Sequence, residues 1–88
     1  MATKDIIRNM KDLVALDNLD GLKDYFYEIQ PLVDLPWDLV YKDVYLHACL
    51  KKKPLIVNWL TEIYETLDPI TKIALRQLFP YGRYLLNK

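Results

Sequence analysis

The sequence predicts an all-α domain of five or six helices folded as antiparallel hairpins, and three observations carry that expectation. Apolar residues recur at helical spacing in every long segment, prolines and Asn/Asp residues punctuate those segments, and no segment alternates apolar and polar residues between hairpin-turn residues. The 88 residues fit one helical domain, 1–88. A chain this short buries only about 60–65% of the surface its unfolded form exposes, so it needs a dense core. A hydrophobic content of 52%, with seven Tyr, two Phe and two Trp, supplies one.

The first helix is expected from about Lys4 to Leu16, because Ile6, Met10, Leu13 and Val14 follow i, i+4, i+7, i+8 with Ile7 beside them. The segment "DNLDG" interrupts it. Asn18 is placed to cap the second helix, its side-chain oxygen accepting from an otherwise unpartnered N–H, and Asp20 suits the positive end of the dipole. Leu22, Tyr25, Phe26 and Ile29 make the second stripe. Pro31 biases Gln30 away from helical dihedrals, which ends that helix.

"PLVDLPW" reads as a short extended connector, with Pro36 in the first turn of the third helix, where a missing N–H would have had no partner. That helix is expected from about Trp37 to Leu50. Val40, Val44 and Ala48 line one side, while Leu39, Leu46 and Cys49 lie elsewhere around it, a distribution that predicts a helix sandwiched between neighbours. Lysines at its end complement the negative pole of its dipole. Pro54 starts a fourth helix with the stripe Leu55, Ile56, Trp59, Leu60 and Ile63. Asp68-Pro69 repeats the start signal for a fifth, from about Pro69 to Leu78. Pro80 and Gly82 permit a final short helix or turn through Tyr84, Leu85 and Leu86.

Displacing the chain along itself by 34 residues brings Ile6, Met10, Ala15, Leu16, Leu22, Tyr25 and Phe26 onto Val40, Val44, Cys49, Leu50, Ile56, Trp59 and Leu60, so apolar positions coincide. Within the second of these units, "DVYLHACLKKKPLIVNWL" (Asp43 to Leu60) resembles an ankyrin repeat. Ala48 and Cys49 match the small pair that ends the first helix of such a repeat. Ile56 and Val57 match the aliphatic pair of the second helix, and Trp59 and Leu60 its closing hydrophobic pair. "DNLDGLKDYF" (Asp17 to Phe26) looks like the turn and second helix of a preceding unit, and "DPI" (Asp68 to Ile70) resembles the Thr-Pro-Leu opening of a following one. The chain departs from the pattern in two places: Lys52 stands where the turn glycine is usual, and Asp43 and Asp68 lie 25 residues apart, against about 33 in that family. The two architectures expected are thus an ankyrin-like stack and a generic stack of helix hairpins. The wording is similar to that of the degenerate ankyrin-like proteins of large DNA viruses, and the resemblance implies a viral adaptor or inhibitor that binds a host protein.

Chemistry is sparsely represented. The single His47 and single Cys49 are two apart on a helix and project about 200° from each other, so they do not make a nucleophile and base on one surface. There is no serine, no Gly-rich phosphate loop and no His/Asp/Glu cluster at metal-ligand spacing. Glu62 and Glu65 share a helix face of the kind that is ordinarily solvated. The expectation is a non-enzymatic protein with no catalytic, cofactor-binding or metal-binding residues.

One cysteine excludes an intramolecular disulfide, "MATKDIIRN" lacks the apolar run of a signal peptide, and no uncharged run approaches the roughly 20 residues of a membrane span. The expected location is intracellular, cytoplasmic by default, with no membrane partner. Net charge is zero but unevenly placed: residues 1–50 hold five Lys/Arg against nine Asp/Glu, and residues 51–88 hold seven against three. The candidate partner-binding residues lie in the basic half: Lys51, Lys52, Lys53, Lys72, Arg76, Tyr81, Arg83 and Tyr84. Basic residues interleaved with aromatics also suit nucleic acid, the alternative partner. Zero net charge and a pI near 6.5 favour a protein, because nucleic-acid affinity is dominated by phosphate neutralisation.

Overall fold

Side-chain caps, prolines and two left-handed turns set the helix boundaries. The structure is a computed structural model that describes residues 3–30 and 36–87. It contains α1 (Thr3–Ala15), α2 (Leu19–Ile29), α3 (Trp37–Leu50), α4 (Pro54–Glu65), α5 (Pro69–Leu75) and α6 (Leu78–Asn87), with no strand among the described residues. The all-α expectation therefore holds, at the upper of the two helix numbers.

Asn18 caps α2 by accepting from the Gly21 N–H at 2.9 Å, and Asp68 caps α5 by accepting from the Thr71 N–H at 3.0 Å and the Thr71 hydroxyl at 2.6 Å. Pro54 and Pro69 each open a helix. The two hairpins α1–α2 and α3–α4 close through the same turn. Asn18 N–H donates to the Leu13 carbonyl and Asp17 N–H to the Val14 carbonyl; Lys53 and Lys52 do the same to Ala48 and Cys49. This is the Schellman arrangement, in which one residue takes the left-handed conformation to satisfy the last carbonyls. Asp17 and Lys52 are those residues, at φ 55° and 56°.

The core is built around α3, which packs against α1, α4, α5 and α6. Val40, Val44, Ala48 and Cys49 are fully buried on it, facing Ile6 and Val14 of α1 and Ile56 of α4 in one continuous cluster. Each fully buried Ile, Leu or Val contributes about 1.5–3 kcal/mol relative to exposure. Two aromatic groups tie the hairpins together. Phe26 of α2 meets Trp37 and Trp59, and Tyr41, Tyr45, Tyr64 and Phe79 join α3, α4 and α6. The Tyr41 hydroxyl donates to the Leu60 carbonyl, which leaves no buried polar side-chain atom without a partner among the described residues.

Several expectations require correction. Gln30 keeps helical dihedrals in front of Pro31, held by its N–H to the Phe26 carbonyl at 3.0 Å. Pro36 is the N-cap of α3 and not a first-turn residue; its carbonyl accepts from Leu39 and Val40. The rest of the proposed connector, 31–35, lies outside the described residues. Leu39 and Leu55 are 55% and 68% exposed, and Val57 takes the buried place next to Ile56. The fifth helix stops at Leu75, because a turn at Arg76 and Gln77 separates it from a longer α6 that begins before Pro80. Pro80 is tolerated there as the third residue of α6, where an N–H has no intrahelical acceptor.

The two hairpins superpose by burial and not by turn. Buried Ile6, Met10, Val14, Leu22, Phe26 and Ile29 lie 34 residues before buried Val40, Val44, Ala48, Ile56, Leu60 and Ile63, whereas the left-handed residues Asp17 and Lys52 are 35 apart. The third pair of helices departs further. In a regular stack α6 would lie along α4; here its main partner is α3. Gly82 permits this, since a Cβ there would collide with the Tyr45 ring and sit 3.0 Å from the Cys49 sulfur.

Candidate interaction surface

Residues on the outward stripes of α1, α3 and α6 form three adjoining grooves. The first, about 580 Å³, runs between α1 and α3 and is lined by Lys4, Ile7, Arg8, Lys11, Asp12, Ala15, Asp43, His47 and Lys51. The second shares Lys11, Asp43 and His47 with it and adds Leu46, Leu50, Tyr81 and Leu85. The third shares Leu46 and Tyr81 with the second and reaches Lys42, Ala74, Leu75, Gln77 and Leu78. Shared walls make them one surface. On α3 and its C-cap, Asp43, Leu46, His47, Leu50 and Lys51 follow i, i+3, i+4, i+7, i+8, a single stripe, with Lys42 beside it.

The centre of this surface is apolar and its α1 side is basic. Leu50 and Tyr81 are 59% and 55% exposed, with Leu46 and Leu85 half-buried beside them. Lys4, Arg8, Lys11 and Lys51 outnumber Asp12 and Asp43 in the first groove, and Arg8 also pairs with Asp5 at 3.3 Å. His47 sits where these parts meet. Burial, then the nearby Lys11 and Lys51, push its pKa below the usual histidine value, against a smaller opposing pull from Asp12. The imidazole is therefore held neutral at neutral pH.

A second cleft of about 460 Å³ lies between α4 and α6, lined by Tyr45, Val57, Asn58, Thr61, Tyr64, Glu65, Phe79, Arg83 and Leu86. It follows from α6 packing on α3. Lys72 stands at its edge, 3.4 Å from Glu65 and 5.8 Å above the Tyr64 ring, while the Tyr64 hydroxyl donates to the Lys72 carbonyl at 3.0 Å.

The eight candidate residues divide between these regions. Lys51 and Tyr81 belong to the run of grooves, and Lys72 and Arg83 to the surroundings of the α4–α6 cleft. Arg83 and Tyr84 also flank a shallow depression with Pro80 and Asn87. Lys52 is the left-handed tip of its turn, Lys53 the N-cap of α4, and Arg76 the C-cap of α5. Missing from the candidates were Lys4, Ile7, Lys11, Leu46, His47, Leu50 and Leu85. The signal available for Leu46, His47 and Leu50 was the outward stripe of the third helix; which helices flank that stripe, and so bring in Lys4, Ile7, Lys11 and Leu85, is a tertiary fact.

Cys49 is fully buried, and desolvation raises its thiol pKa despite a hydrogen bond with Tyr45. No group of three or more His, Cys, Asp or Glu positioned to hold a metal ion occurs among the described residues, and none of their helices is long and apolar enough to cross a membrane. Compared with protein-family models, curated proteins and solved structures, the chain has no match.

Proposed function

We propose that the protein is a non-enzymatic interaction module that binds a partner protein along the α1–α3–α6 surface. The observation that carries this reading is the uninterrupted run of grooves with Leu50 and Tyr81 exposed at its centre and lysines along its rim. Interfaces of this kind draw their affinity from a few apolar and aromatic anchors, and their rim charges act mainly on the association rate. The ankyrin-like wording of Asp43 to Leu60 supports the same reading and extends it to an adaptor or inhibitor, of viral origin, acting on a host protein. Stacked-helix modules commonly bind through an extended surface.

The test is affinity capture of a partner with the wild-type chain, followed by binding kinetics. Leu50→Glu combined with Tyr81→Ala should weaken the complex at least about tenfold, the scale of losing one anchor. Replacing Lys51, Lys52 and Lys53 with Glu should slow association by up to about tenfold at low salt and leave helical content unchanged. A mobility-shift titration addresses the nucleic-acid alternative. Binding with a log K against log salt slope of roughly 0.7–0.9 per phosphate contact, abolished by the triple lysine substitution, would replace the protein-partner reading.

A further inference from the structure

The exposed sides of α5 and α6 are neither polar nor balanced in charge. Ile70 and Ile73 of α5 are 80% and 72% exposed, and Tyr84 of α6 is 62% exposed. From Pro69 to Asn87 there is no Asp or Glu, and Arg76 and Arg83 are exposed and in no ion pair among the described residues.

The first hairpin carries the complement. Asp20, Asp24, Tyr27 and Glu28 follow i, i+4, i+7, i+8 on α2 and so share one stripe, all four are exposed, and the three carboxylates are in no ion pair among the described residues. We propose that the α5–α6 face docks the α2 face of a second copy of this chain, head to tail, with Tyr27 against Ile70 and Ile73 and the carboxylates opposite Arg76 and Arg83. The two faces differ, so the contact is heterologous: a pair of copies keeps one free face of each kind, one on each copy, and the assembly grows into a ring or an open filament. It rests on other residues than the partner surface proposed above, and either can fail without the other.

Light scattering on the full chain across a range of concentrations tests it. Average mass should rise with protein concentration at low salt and fall at about 1 M salt, where screening shortens the reach of charge to about 3 Å. Asp24→Lys with Glu28→Lys should weaken association at least about tenfold, as should Ile73→Glu with Arg76→Glu, since exposed pairs turn repulsive in each. Mixed together, the two variants should associate again, because the intact α5–α6 face of one meets the intact α2 face of the other. If circular dichroism shows either double variant unfolded, the single exposed substitutions Glu28→Lys and Arg76→Glu take its place. Wild type that stays monomeric at every concentration, a closed dimer indifferent to either pair, or folded variants that fail to combine would each overturn the proposal. Wild type that stays monomeric yet binds an acidic peptide through Arg76 and Arg83 would assign the face to another occupant.

Discussion

Gly82 is a point of close approach between α6 and α3. Any larger residue there meets the Tyr45 ring, whose hydroxyl burial has already pushed up to about 12, and the buried sulfur of Cys49. Overpacking at such a contact costs about 1–3 kcal/mol, so Gly82→Ala should destabilise the fold by that amount in denaturant titration. The substitution should also move α6 away from α3 and speed the labelling of Cys49 by a thiol reagent. In the wild type that labelling should be much slower than in denaturant, because the thiol is both covered and held protonated by desolvation. Equal rates in the two conditions would show that nothing covers it.

Between one helix and the next, the two hairpin turns have the same hydrogen bonds and different residues. Asp at the left-handed position is tolerated by its short polar side chain, whereas Lys52 adopts φ 56° with no such help. Lys52→Gly should therefore raise stability by about 0.5–1 kcal/mol, and Asn18→Ala should lower it by about 1 kcal/mol through loss of the α2 cap; denaturant midpoints read both. Caps and prolines are also what made the elements legible. Asn18, Pro54 and Asp68-Pro69 announce the starts of α2, α4 and α5 where they are found, and the third helix was bounded at Trp37 and Leu50 as observed. The α5–α6 break was not legible, because Arg76 and Gln77 are good helix formers and carry no stop signal, while Pro80 looked like one. The exposure of Leu39 and Leu55 was hidden for a similar reason. An apolar residue next to a buried stripe looks the same in sequence whether or not a neighbour reaches it.

For the molecule as a whole, the candidate surface was the least legible part. Lysines concentrated after residue 50 drew attention to the basic half, yet Lys51 is completed by Lys4 and Lys11 from the acidic half, brought in by packing that no local pattern encodes. The same packing has a consequence for how the chain comes apart. A linear array of repeats unfolds in steps, its end units fraying while the rest stands, because each touches only its neighbours. Here the last helix lies on α3, the helix that also supports α1 and α4. Removal of 69–88 would uncover Tyr45 and Cys49 and open the middle of the core. The truncated chain should lose most of its helical signal instead of persisting as two folded hairpins, and the intact protein should melt with equal calorimetric and van't Hoff enthalpies. A separately stable 1–68 would show that the hairpins are autonomous. Otherwise the chain is divisible on paper and indivisible in solution: it has the segmentation of an array and the all-or-none cooperativity of a single globule.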